Sequence, residues 1–237
     1  MKRLEICCGC TEDVKTASQY DIDSIELNSA LSLGGLTPTL GTLKLAKEIT
    51  DIPLHCMVRA VPGGFVYNNV EFETMVQDAT LLLKNGADAI VFGCLTNDLE
   101  VDVNQTKTLI DLAHSYNRKA IFHMAISMAK DILGSYQKLI DLGIDLVLSK
   151  GDNSDAIKGL DMLKEMNKVN PDKLMIGAGI NPETAHFFEE FKYLHASCKK
   201  AVDRLNGNDV VDFDYIDKNK THRVHGQCVN LLVKLIK

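Results

Sequence analysis

The 237-residue sequence has no apolar run approaching the roughly 20 residues that span a bilayer, so no membrane-crossing helix is expected. It has no basic run longer than a few residues and a net charge of −6, which argues against a general nucleic-acid surface. The local cluster Lys218, Lys220, His222, Arg223 and His225 reads as a solvated loop. There is no CxxC pair and no HExxH, so a conventional zinc site is not expected. Nor is a signal peptide expected, as the first residues run straight into a strand pattern, and the expected location is cytoplasmic. In such a reducing compartment the seven cysteines stay thiols, without structural disulfides.

With 46% hydrophobic residues, the chain can bury a large core, and a single domain is expected. Strand patterns begin at Arg3, Ser24, Leu54, Ala89, Lys119, Leu146, Leu174 and Tyr193, with helical patterns between them. Thr11 is placed to cap a first helix running to about Tyr20. Asn85-Gly86 stops the helix that begins near Val70, and Asn181-Pro182-Glu183 reads as a cap and a proline opening another helix. Eight strands alternating with helices predict an α/β protein, a (β/α)8 TIM barrel. A doubly wound open sheet is the alternative. The stretch 199–224 fits no strand or helix template and is expected to be a lid or an oligomer contact before a last helix from Gly226 to Ile236.

Alternation along each strand sorts side chains to two faces. Charged groups cannot face the helix layer, so Glu5, Cys7, Glu26, Asn28, His55, Arg59, His123, Ser149, His195 and Ser197 are expected inside. That is more polar than barrel interiors usually are, so these groups pair with one another or meet a ligand. Asn28, Arg59, His123 and Ser197 close their strands on the face where barrel enzymes work. Arg59 could anchor an anion or neutralise Glu26. Glu26 or His123 could move a proton, and the ordinary histidine pKa of about 6.5 suits that task. The turn Gly177-Ala178-Gly179-Ile180-Asn181 follows the seventh strand and could hold a phosphate on exposed backbone N–H groups. These residues compose one functional reading: a barrel enzyme acting on a small anionic or phosphorylated metabolite.

A second reading rests on sulfur. Cys7-Cys8-Gly9-Cys10 offers thiolates that suit Cu(I). While the strand persists, Cys7 and Cys8 point to opposite faces, whereas Cys8 and Cys10 share parity and Gly9 could let them converge. Closure of the barrel would bring Cys198 near Cys8 or Cys10. The plainer alternative is that the cysteines are small buried hydrophobes.

Glu5-Ile6-Cys7-Cys8, Ile25-Glu26-Leu27-Asn28, Gly34-Gly35-Leu36-Thr37-Pro38, Arg59, Gly64-Phe65, Phe92-Gly93 and Phe122-His123 occur in this order, and together they resemble the copper-homeostasis family CutC over residues 3 to about 198. The resemblance implies a cytoplasmic (β/α)8 barrel, commonly a homo-oligomer, linked to copper tolerance and proposed to bind copper ion through cysteine. Two departures stand out. The family's Arg-Pro-Arg run is here Arg59-Ala60-Val61-Pro62, and its Arg-Ala-Phe-Asp after the strand-five histidine is here Met124-Ala125-Ile126-Ser127. Both remove charge, and Met124 beside His123 is compatible with Cu(I).

Overall fold

The computed structural model describes residues 2–203 and 220–237. Eight short parallel strands follow one another around a closed barrel: β1 (Arg3–Cys8), β2 (Ser24–Leu27), β3 (Leu54–Met57), β4 (Ala89–Phe92), β5 (Lys119–Phe122), β6 (Leu146–Ser149), β7 (Leu174–Ile176) and β8 (Tyr193–Ala196), with β8 beside β1. The closed ring excludes the open-sheet alternative. Six helices cover the outside in turn: α1 (Thr11–Ala17), α2 (Leu40–Ile49), α3 (Asn69–Lys84), α4 (Val103–Ser115), α5 (Ile132–Asp141) and α6 (Leu160–Val169). After β8 the chain forms an antiparallel pair, β9 (Lys199–Asp203) and β10 (Lys220–Val224), and then α7 (Gly226–Ile236). The flanks of the 199–224 stretch are thus strands, and its centre lies outside the described residues. No described helix is long and apolar enough to cross a membrane.

Local chemistry explains most of these elements. Helix α3 buries Met75, Ala79, Leu82 and Leu83, one stripe at helical spacing. Asn68 and Glu71 close a reciprocal capping box at its start. Asp102 and Asp131 accept backbone N–H bonds at the starts of α4 and α5. Thr11 does not cap α1. It is the first helical residue, Cys10 stands at the cap position without a side-chain bond, and the helix ends at Ala17. Asp13 supplies the missing order: one carboxylate oxygen accepts from Gly9 N–H at 3.0 Å and the other from Val224 N–H at 3.0 Å, tying α1 to β10.

Two other expectations change. Asn181 does cap a turn, but its Oδ1 takes the N–H groups of Glu183 and Thr184, and only a four-residue 3-10 helix, Ala185–Phe188, follows. Ser149 does not face the interior. Leu146 and Leu148 do, so Ser149 shares the outward side of Val147, where its Oγ accepts from Gly151 N–H at 3.0 Å.

Outward residues such as Leu4, Ile6, Cys8, Ile25, Leu27, Ile90 and Phe92 join the helices in the main core. Each large apolar side chain buried there contributes about 1.5–3 kcal/mol. A second, smaller cluster fills part of the barrel itself: Met57, Ala89, Val91, Ile121, Leu146, Leu148 and Met175.

Candidate functional site

Strand register assembles the polar part of the interior. It sets Glu5 of β1 beside His195 of β8, Cys7 of β1 beside Glu26 of β2, and Glu26 beside His55 of β3. The Glu5 carboxylate is the hub. One oxygen meets His55 Nδ1 at 2.5 Å and accepts from Ser24 Oγ at 2.8 Å, while the other meets His195 Nδ1 at 2.9 Å. Burial would raise the Glu5 pKa, but the two histidines outweigh it and hold the carboxyl well below its usual range. Burial likewise opposes a charged His195. Glu26, Cys7 and Glu5 together overcome it and hold the ring well above its usual range.

Toward the C-terminal end of the strands, His195 turns its other nitrogen to a second group. His195 Nε2 lies 3.9 Å from Glu26 Oε2, and donor atoms of Cys7, Glu26 and His195 all fall within 4.8 Å of one another. Asn28 Nδ2 donates to Glu26 Oε2 at 2.8 Å and touches Cys7 Sγ at 3.6 Å, while its buried Oδ1 has no partner among the described residues. Burial, with Glu26, raises the Cys7 thiol pKa; His195 and Lys199 oppose that rise. A soft cation placed among these three groups would displace the protons of Cys7 and of His195 Nε2. Nδ1–H would remain on Glu5, the outer carboxylate that orients a metal-binding imidazole.

These groups border a cavity of about 470 Å³ at the C-terminal end of the barrel, whose walls also include Met57, His123, Met124, Ser197, Cys198 and Cys228. Gly177 lies beside its floor: a Cβ there would stand 2.7 Å from Met124 Cε and 2.8 Å from Leu148 Cδ1, so only glycine leaves the space open. Gly179, in a left-handed conformation (φ 96°), lines the wall. The N–H of Gly177 already binds the Ser149 carbonyl at 3.0 Å.

His123 Nδ1 accepts from Ala125 N–H at 3.1 Å, which leaves the proton on Nε2, and that buried nitrogen has no partner among the described residues. Burial and the nearby Arg59 charge push its pKa down to about 3, so the ring is neutral and offers a donor. Arg59 itself lies past the end of β3. Its guanidinium donates to the carbonyls of Leu33, Gly35 and Gly63 at 3.1, 3.2 and 2.7 Å and sits 5.0 Å from the Phe65 ring centroid. It ties the loops after β2 and β3 together and is not among the cavity walls.

The cysteines divide. Cys7 faces the cavity; Cys8 is buried in the layer between sheet and helices, where desolvation raises its pKa well above the usual thiol range; Cys10 stands at the start of α1. The site therefore brings Cys7 together with His195 and Glu26 rather than with Cys8 and Cys10. Cys198 meets Cys228 of α7, a neighbour that no strand spacing could reveal because α7 follows the long 199–224 stretch.

The CutC family model matches residues 2–200. A CutC family protein of Treponema denticola is 42% identical over 185 residues, covering 77% of this chain and 74% of the relative. The Caenorhabditis elegans copper homeostasis protein cutC homolog is 34% identical over 196 residues, covering 81% and 78%. A crystal structure of a copper homeostasis protein CutC from Streptococcus agalactiae superposes with a TM-score of 0.77 at 26% identity, over 83% of this chain and 99% of that one. KGPDC from Streptococcus mutans, at 12% identity and a TM-score of 0.63, shares the fold over 100% of this chain and 99% of its own.

Proposed function

As the chain belongs to the CutC copper-homeostasis family, we propose that it takes Cu(I) as its cargo at Cys7 and His195, with Glu26 as the third group, in the cytoplasm where thiols stay reduced. The observation that carries this reading is the convergence of Cys7, His195 and Glu26 within 4.8 Å, backed by the Glu5 bond to His195 Nδ1. Thiolate and imidazole are soft enough to hold Cu(I), and the orienting carboxylate fixes which imidazole nitrogen binds. Cys8 and Cys10 have no part in the site.

Anaerobic titration of the reduced protein against a competing Cu(I) chelator tests the reading. Cys7→Ser and His195→Gln should each weaken binding by more than the roughly 10–100-fold that loss of an outer partner costs. Unchanged binding in both variants would remove it.

A second reading keeps the family and assigns the cavity a small anionic ligand. What favours it is the buried Nε2 of His123 in the cavity wall, which has no partner among the described residues. His123 would then donate to the anion, while Glu26 would handle any proton; Gly179 and Ser197 would border it. Binding of small carboxylates and phosphate esters that His123→Phe abolishes would support this reading. Indifference to that substitution would exclude it.

A further inference from the structure

Sulfur collects at this cavity beyond the Cys7 site. Cys7, Met57, Met124, Cys198 and Cys228 all border it, in a chain with seven cysteines and eight methionines. Cys198 and Cys228 stand apart from the Cys7, His195 and Glu26 cluster and touch each other side chain to side chain. Cys198 is buried and Cys228 is half-buried, so the pair lies where the cavity wall approaches solvent.

The backbone holds the two in place. Past the end of β8 at Ala196, Cys198 packs in the main core with Val229 and Leu232 of α7, and Cys228 packs against the same core. The chain passes Cys198 in a left-handed conformation (φ 44°), a costly one for a residue with a Cβ, as it turns from β8 into β9. The Cys198 carbonyl accepts from His225 N–H at 2.9 Å, and the His225 carbonyl accepts from Cys228 N–H at 3.0 Å. The first turn of α7 is thus bolted to the residue whose thiol it faces. Lys199, the next residue, also borders the cavity and supplies a positive charge near the anionic complex that two thiolates and one Cu(I) would form.

We propose that Cys198 and Cys228 form a second Cu(I) site of two thiolates at the rim of the cavity, in front of the Cys7 and His195 site. This rests on the reading that the protein carries Cu(I). Two thiolates that, among the described residues, belong to no group of three or more metal-binding side chains suit Cu(I) over zinc, which takes four ligands. On loading from a chelator complex, each thiol releases its proton to solvent, two sulfur–copper bonds replace those to the chelator, and copper stays Cu(I). The rim pair then meets an incoming ion before the interior does, with Met57 and Met124 on the same cavity wall.

The test is the number of Cu(I) equivalents bound anaerobically in competition with a chelator, measured on the full chain. The parent should take two, the Cys198→Ser, Cys228→Ser variant one, and Cys7→Ser one. Two equivalents retained in the double variant would overturn the rim site and leave the interior site standing. Two retained in Cys7→Ser, with one lost in the double variant, would overturn the interior site and leave the rim site standing. Alkylation with iodoacetamide, read by mass spectrometry on the unsubstituted protein, gives the same answer without a folding question. Protection of Cys198 and Cys228 by two equivalents of Cu(I) supports the proposal, and undiminished alkylation of both overturns it.

Discussion

The barrel interior is divided lengthwise. From β4 to β7 it is filled by Ala89, Val91, Ile121, Leu146, Leu148 and Met175, in the manner of any packed barrel. From β8 through β1 and β2 to β3 it holds His195, Glu5, Cys7, Glu26 and His55, all buried. One half is stabilised by area and fit, which neither pH nor ions alter. The other is held by charges that need one another, and a group displaced there leaves its partners uncompensated. One wall of the barrel is thus indifferent to pH and the other carries the charges and the chemistry, and the cavity opens where the two meet.

The largest expected effect comes from breaking the polar half at its hub. Glu5→Gln leaves His55 and His195 without their shared anion and should lower stability by about 3–5 kcal/mol in urea unfolding. Leu148→Ala in the apolar half should cost about 2–5 kcal/mol, with a pH dependence identical to that of the parent. Filling the boundary by Gly177→Ala should cost about 1–3 kcal/mol, because the new methyl group meets Met124 and Leu148.

The pH profile separates the halves more finely. His195 binds its proton more tightly folded than unfolded, so its contribution is complete below its ordinary pKa of 6.5 and is lost as pH rises toward its folded value. Stability should fall through that window by up to about 1.4 kcal/mol per pH unit. His123, at about 3, does the reverse: between pH 6.5 and 3 the unfolded chain binds a proton that the folded one refuses, so stability rises with pH there. His195→Gln should flatten the alkaline arm and His123→Gln part of the acid arm, while Leu148→Ala leaves both. An unchanged alkaline arm in His195→Gln would contradict the division drawn here.

The sequence made the barrel legible because strand and helix periods alternate eight times, and it marked the polar wall because a charge on a strand has only one tolerable face. Register was not legible. Barrel closure was expected, but that Glu5 meets His195 while Cys7 faces Glu26 depends on the offsets of β1 against β8 and β2, which no local pattern encodes. Arg59 read as a ligand anchor because it continues the parity of His55 and Met57, yet β3 ends at Met57 and three loop carbonyls engage its guanidinium. Cys8 and Cys10 were candidates through their shared parity and the freedom of Gly9, yet Cys8 is buried behind the sheet, the face that alternation predicts for it, and Cys10 stands at the start of α1. Cys228 gave no signal at all, since its place depends on how α7 returns to the barrel.

The central claim is that Cys7 and His195 hold Cu(I) together. X-ray absorption at the copper edge, on the Cys198→Ser, Cys228→Ser variant loaded with one equivalent, tests it most directly. The account predicts mixed sulfur and imidazole scattering, with the imidazole signature lost in His195→Gln. Sulfur-only coordination that His195→Gln leaves unchanged would contradict it.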